Sequence, residues 1–270
     1  MKLRKALDKA RENREGEGRQ DPQVSFQEQD TGPALEPQKA KNEWSAPNYS
    51  DSVQCRIDPR IIEKNRGVSI NPDSKEIERY KILRTRIHQQ AKNRKLNTIM
   101  VTSPNHNEGK TVTTINMGLT FARDLKQTVL LVDCDFTGQD IHRYLGIESR
   151  FSLIDYFLDN LPLNQMIIWP GIDKLTLISG DRTVYDSSEL LSSDMMESLV
   201  KEMGERYDDR YVFYDAPPVL EHSEAISLAP MMDGIIMVVE AGKTPKRDVQ
   251  KAISMLPHDK LLGFVLNKQE

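Results

Sequence analysis

From Asn97 onward the chain is punctuated by short apolar runs. They read "TIMVTS", "TVLLVDCD", "KLTLISG", "YVFYDAPP", "GIIMVVEA" and "LLGFVLN". Each is continuously apolar rather than alternating, as strands covered on both faces are. Between them lie "TVTTINMGLTFARDL", "SELLSSDMMESLVKEMGERY", "SEAISLAPMMD" and "TPKRDVQKAISML", which read as helices. Strand alternating with helix predicts an α/β fold, a doubly wound and mostly parallel sheet with helices on both faces. Met195, Met196, Leu199, Val200 and Met203 are predicted as the core face of one helix. Upstream, "SKEIERYKILRTRIHQQA" sets Ile77, Ile82, Leu83 and Ile87 at helical intervals, with Asp73 or Ser74 as cap and Glu76 in the first turn.

Residues 1–50 break this pattern. They are rich in charge, Gln, Gly and Pro, with isolated apolar residues. Such a segment buries too little surface to offset its ordering entropy, and a disordered tail is expected. Its start, "MKLRKALDKARE", places Leu3, Ala6, Leu7 and Ala10 on one helical face among basic residues. That is a solvated helix, or a docking peptide for a partner or an anionic membrane.

Composition narrows the function classes. A net charge of −4 over 270 residues offers nucleic acid no basic surface, and none is expected as a partner. Cys55 and Cys134 are far apart and in no metal-ligand spacing, so neither a disulfide framework nor a cysteine metal site is implied. No apolar run reaches the roughly 18 residues that would span a bilayer, and no signal-peptide pattern opens the chain. A cytoplasmic protein is expected, one that works beside a membrane through a partner.

The chemistry concentrates in "VTSPNHNEGKTVTTINMGLTFA". An apolar run passes through a polar turn to Gly109-Lys110-Thr111 and then becomes helical. In the P-loop pattern, GxxxxGK[ST], loop N–H groups wrap phosphates at a helix N-terminus. Pro104, after Ser103, stands where the first glycine is expected. Gly109 permits close approach, Lys110 would reach the β and γ phosphates, and Thr111 would offer its hydroxyl to Mg²⁺. Asn107, Glu108 and Val112 complete the expected nucleotide-binding set. Asp133 and Asp135 close one apolar run, one residue apart, and Asp215 closes another. Ligands of open α/β sheets bind beyond the carboxyl ends of the strands. There, acids can hold a metal or accept a proton from an attacking hydroxyl. The expected metal set is Thr111, Asp133 and Asp215, and the catalytic set is Lys110, Asp133 and Asp135. His106 reads as solvated, and His142 and His222 have no ligand-like pattern.

"EGKTVTTINMGLTFA", "TVLLVDCD", "IHRYLGIES", "SSELLSSDMMESLVKEMGERYDDRYVFYDAPPVLEHSEAISLAP" and "DGIIMVVEAGKTP…LLGFVLNK" together resemble the cytoplasmic domains of bacterial tyrosine kinases. The likeness extends over roughly residues 70 to 268, and points to the stand-alone autokinases of exosortase-linked polysaccharide clusters. It implies a P-loop fold of the Min/Par kind and transfer of the γ phosphate of ATP, with Mg²⁺, to protein tyrosines. It further implies action in trans within a ring of subunits, stimulation by a membrane chain-length (polysaccharide copolymerase) protein, and a place in capsule or exopolysaccharide production. Asp133 and Asp135 fall on the family's Walker A′ motif and Asp215 on Walker B, while Asn267 falls where the last strand meets the adenine. Glu78, Lys81 and Arg84 fall on the family's subunit-contact motif, Glu-x-x-Arg-x-x-Arg, with Lys for the first Arg, and imply a homo-oligomer.

Thr137 stands where the family often has Arg. No tyrosine cluster follows Tyr214, which leaves Tyr49, Tyr80 or a tyrosine of another protein as acceptor. The implied division is a tail at 1–50, a linker and interface helix at 51–96, and an ATP-binding kinase domain at 97–270. Two further readings share the fold: a nucleotide switch like the Min/Par ATPases, and an ATP-binding scaffold without transfer. The switch proteins carry an extra loop lysine, and residues 103–108 contain none.

Overall fold

The computed structural model describes residues 52–269, apart from 92, 93, 95, 125, 185, 186 and 208. The expected tail, its basic start and Tyr49 lie outside the described residues. The strands are β1 (Val53–Gln54), β2 (Thr98–Thr102), β3 (Thr128–Asp133), β4 (Ile168–Trp169), β5 (Leu175–Ile178), β6 (Arg210–Asp215), β7 (Gly234–Glu240) and β8 (Leu261–Asn267). They form one sheet in the order β1-β4-β5-β3-β6-β2-β7-β8. Every pairing is parallel except β4 with β5. The helices are α1 (Pro59–Lys64), α2 (Ile77–Ala91), α3 (Lys110–Ala122), α4 (Ile141–Tyr144), α5 (Leu153–Asp159), α6 (Ser188–Leu191), α7 (Asp194–Glu205), α8 (Glu224–Leu228) and α9 (Lys246–Ser254).

The continuous apolar runs follow from two cores, one on each face of the sheet. Successive side chains of a strand point to opposite faces. Ile99 and Val101 of β2 therefore join Ile115, Leu119 and Phe121 of α3 on one face. Met100 joins Met196, Leu199, Val200 and Met203 of α7 on the other. Ile82 and Met195 are corrections to the expected core, at 54% and 43% exposed. At 3.6 residues per turn, Ile82 is rotated about 140° from Ile77, away from the buried stripe. Met195 precedes Met196 and lies about 100° off the same helix's core face.

The stretch read as one helix over 188–207 is two. Ser193 breaks it by capping α7, its side chain accepting from the Met196 N–H. The segment 51–96 is more than a linker. Its β1 pairs with β4, and Ile62, Ile77, Ile87 and Leu96 are buried in the body. Asp58 caps α1 by accepting from the Arg60 N–H, with Pro59 at the first helical position.

Register decides the rest. Asp133 of β3 stands opposite Asp215 of β6, and Val101 of β2 opposite the same Asp215. The three strands thus end together at their carboxyl edge, where the loop into α3 begins.

Candidate active site

Between β2 and α3 the backbone turns through two left-handed residues, Asn107 at φ 62° and Gly109 at φ 96°. Glycine adopts that conformation without penalty. Other side chains moor the loop from outside. Thr244 donates to Glu108 Oε1 at 2.6 Å, Asn267 Nδ2 to the Glu108 carbonyl at 2.9 Å, and Lys268 Nζ to the Asn107 carbonyl at 2.6 Å. The His106 N–H donates to Glu221 Oε1 at 2.8 Å. Burial pushes the Glu108 carboxyl up, against the hydrogen bond from Thr244. No side chain caps the first turn of α3, so its leading N–H groups stay open to an anion.

Lys110, first residue of α3, is buried between acids. Its Nζ donates to Asp135 Oδ2 at 2.7 Å and lies 3.9 Å from Asp215 Oδ2. Thr111 Oγ1 donates to Asp215 Oδ2 at 2.6 Å, and Thr114 Oγ1 lies 3.3 Å from Asp215 Oδ1. Thr137 donates to Asp135 Oδ1 at 2.8 Å. Asp133 is held differently. Its Oδ2 accepts from Ser179 Oγ at 2.8 Å and from the Asp140 and Ile141 N–H groups at 3.0 Å each, while Oδ1 accepts only from the Asp135 N–H, at 3.3 Å.

These contacts set the charges. Burial works against the Lys110 ammonium, but Asp215, Asp135 and Asp133 together overcome it and hold the proton more tightly than usual. Burial also works against the Asp135 carboxylate, and the charge and hydrogen bond of Lys110 overcome that, lowering it. Asp133 goes up, through burial and then through Asp215. Burial lifts Asp215 as well, against Lys110 and Thr111. Asp133 and Asp215 therefore share a site that resists two negative charges, and an added cation there would relieve both.

The structure thus brings Lys110, Thr111, Asp133, Asp135 and Asp215 to one edge of the sheet. Asn267, at the end of β8, donates its amide to the Glu108 carbonyl and so stands beside the loop. Val112 is half-buried on α3 and lines a small cleft with Ile62 and Tyr144. Of the expected subunit-contact residues, Lys81 pairs with Glu78 at 2.6 Å, and Arg84 donates to the Thr120 carbonyl of its own chain at 2.7 Å. Tyr80 is half-buried against the α3-side core. Sequence reading missed Ser179, Thr114 and Thr244. Each lies far in sequence from the carboxylate it meets, and only the fold joins them.

Several known proteins are similar to this chain. The AAA domain family matches residues 96–256, more than half the chain. The tyrosine-protein kinase YwqD of Bacillus subtilis is 31% identical over 216 residues, 76% of this chain and 90% of that protein. The tyrosine-protein kinase ptk of Acinetobacter johnsonii is 25% identical over 84% of this chain, which spans only 32% of its length. Among solved structures, the chimerical protein CapA2B2 shares the fold with a TM-score of 0.69, at 22% identity over 83% of this chain and 95% of that one. The Mg-ADP complex of the septum site-determining protein MinD of Pyrococcus horikoshii is more distant, with a TM-score of 0.52 at 22% identity over 65% of this chain and 72% of that one. A nucleotide-binding P-loop domain with the acids of β3 and β6 at its mouth, and a tyrosine kinase matched along nine-tenths of its length, lead to one conclusion: the chain belongs to the bacterial tyrosine kinases and is an enzyme of that class.

Proposed function

We propose that the chain transfers the γ-phosphoryl group of ATP to a protein tyrosine from the pocket around Lys110, and that it does so to regulate capsule or exopolysaccharide assembly. The convergence of Lys110, Asp135, Asp215 and Thr111 on the mouth of the loop carries this reading. Such transfer needs little covalent help from the protein, and is driven by positioning and by stabilising charge on the moving group.

The residues present fit ATP and Mg²⁺. The uncapped start of α3 and the left-handed turn at Gly109 suit an anion, and Lys110 stands at that point. Thr111 Oγ1 and Asp215 Oδ2, 2.6 Å apart, are the hard oxygens Mg²⁺ takes as ligands. Bound there, Mg²⁺ would neutralise charge developing on the phosphates. Asp133 suits that metal less well, because three donors already occupy its Oδ2. We assign it to the tyrosine hydroxyl instead, which it orients and deprotonates. Asp135 holds Lys110 in the pocket, and Thr137 steadies Asp135. The resemblance supports a membrane copolymerase as stimulating partner at the inner face of the plasma membrane. It also supports self-association through the helix of Glu78, Lys81 and Arg84. Among the described residues no helix is long and apolar enough to cross a membrane.

Incubation with γ-labelled ATP and Mg²⁺, followed by phosphoamino-acid analysis, tests the proposal. Phosphotyrosine is the expected product. Free phosphate alone would replace the kinase by a switch of the MinD kind, and ATP binding with neither product would leave a scaffold.

A further inference from the structure

His142 has no ligand-like pattern in the sequence, yet it is buried at 2% exposure one step from the active site. Its Nδ1 lies 2.8 Å from Ser179 Oγ and its Nε2 lies 3.0 Å from Asp181 Oδ1. Ser179 in turn donates to Asp133 Oδ2 at 2.8 Å. Asp181, two-thirds exposed, is fixed from the surface by Arg143 at 2.9 Å. An unbroken chain of side chains therefore runs from solvent to the Asp133 carboxylate. The order Asp–His–Ser suggests a nucleophile, but Ser179 is fully buried and gives its hydroxyl to Asp133. That hydroxyl is committed to a carboxylate rather than aimed at a substrate.

A hydroxyl has one proton to donate and two lone pairs. Ser179 Oγ has three close partners: its proton goes to Asp133, the His142 backbone N–H donates to it at 3.2 Å, and the ring Nδ1 lies 2.8 Å away. Turning the hydroxyl away from Asp133 breaks its bond to Oδ2. Asp133 inherits the constraint. An aspartate is broad at its terminal torsion and does not fix its own carboxyl plane. Here Oδ2 is saturated by Ser179, Asp140 and Ile141, so the plane is set and Oδ1 stays nearly free.

We infer that Ser179, held by His142 and Asp181, is a positioning residue for phosphoryl transfer: it anchors Asp133 through Oδ2 and leaves Oδ1 as the oxygen that meets the tyrosine hydroxyl. The inference rests on the kinase reading above. Removing Ser179 Oγ leaves two backbone donors on Oδ2 and frees the carboxyl to swing. Misplacement of a reacting group by about 1 Å costs on the order of a hundredfold in rate.

The test uses the full chain, Mg-ATP and a synthetic glutamate–tyrosine copolymer as acceptor, with a fluorescent ATP analogue to read nucleotide affinity. Ser179→Ala is expected to lower kcat by roughly ten- to a hundredfold, the usual cost of removing a group that orients a functional ligand, with KM for ATP and analogue affinity unchanged. Ser179→Thr restores most of the rate. His142→Asn, which keeps an amide near the Nδ1 position, outperforms His142→Ala. Wild-type turnover in Ser179→Ala overturns the inference, as does a loss of nucleotide affinity that matches the loss of kcat. Should Ser179→Ala fail to fold, Asp181→Ala at the surface carries the test, with a smaller fall in kcat expected and none overturning the inference. A wild-type chain that labels no tyrosine at all rejects the kinase reading and this inference together. An active wild type with equally active variants rejects this inference alone.

Discussion

Lys110 is a buried cation between two carboxylates, and its removal has two separable consequences. Lys110→Met should abolish tyrosine labelling, a loss of at least about a hundredfold for a charge aimed at the transferred group. It also leaves Asp135 and Asp215 without their cation, so a destabilisation of about 3 kcal/mol is expected by denaturant titration. A variant that is inactive yet as stable as wild type contradicts the ion pair seen at 2.7 Å. Gly109 tests the loop separately. Its φ of 96° costs a residue with a Cβ about 1 kcal/mol or more, and that Cβ would lie 2.0 Å from Asn267 Nδ2. Gly109→Ala should therefore weaken ATP binding in a direct titration while the fold persists, since Asn267 is a side-chain end that can turn aside. The GKT triplet and the three acids were legible because each sits at the seam between an apolar run and a polar turn. The hydroxyls of Ser179, Thr114 and Thr244 were not, since nothing local distinguishes them from surface serines and threonines.

Helix α3 is the element on which the site depends, and its seat against β3 is close. A Cβ on Gly118 would lie 2.6 Å from Leu131 Cδ2, both residues being in the sheet-facing layer. Gly118→Leu should overpack this layer and cost about 1–3 kcal/mol, measured as a lower denaturation midpoint. Near the carboxyl end of α3, His88 of α2 packs against Phe121 and Tyr211, with ring centroids 5.1 and 5.5 Å away. Burial, opposed by the Asp124 carboxylate, holds His88 below its ordinary value of 6.5. A histidine kept neutral by the fold binds fewer protons than the unfolded chain does. Its stabilisation is complete above the unfolded value and is lost as pH falls through and below it. Melting temperature should thus decline from pH 7 toward pH 5 with a component that His88→Phe removes. A pH dependence identical in the variant would assign that component elsewhere. Strands β2, β3 and β5 to β8 were read from apolar runs. β1, β4, α1, α4 and α5 were not, because two-residue strands and helices of four to seven residues carry too few residues to show a period.

Over the whole molecule, the distribution of tyrosines constrains transfer. Among the described residues Tyr211 and Tyr214 are buried, Tyr80, Tyr144 and Tyr156 are partly buried, and Tyr207 is exposed at 42%. Tyr207 precedes the amino end of β6, while Asp215 closes its carboxyl end. Six residues of strand separate those ends by about 20 Å, so the molecule cannot bring Tyr207 to its own Asp133. Any labelling of Tyr207 should be intermolecular. A Lys110→Met chain should then be labelled by wild type at a rate that rises with protein concentration, and a rate independent of dilution would contradict this.

The sequence by itself determined the class of fold and the chemistry on offer. Strands buried on both faces must be continuously apolar and the helices covering them amphipathic, and a phosphate loop must carry its glycine, lysine and hydroxyl in consecutive positions. Both are local constraints, written in adjacent residues. Tertiary structure alone decided which oxygens face which partners. Parallel register set Asp133 beside Asp215, the turn onto α4 gave Asp133 two backbone donors, and β5 delivered Ser179 from more than forty residues away. Such contacts depend on strand order and on side-chain direction, which no spacing along the chain records.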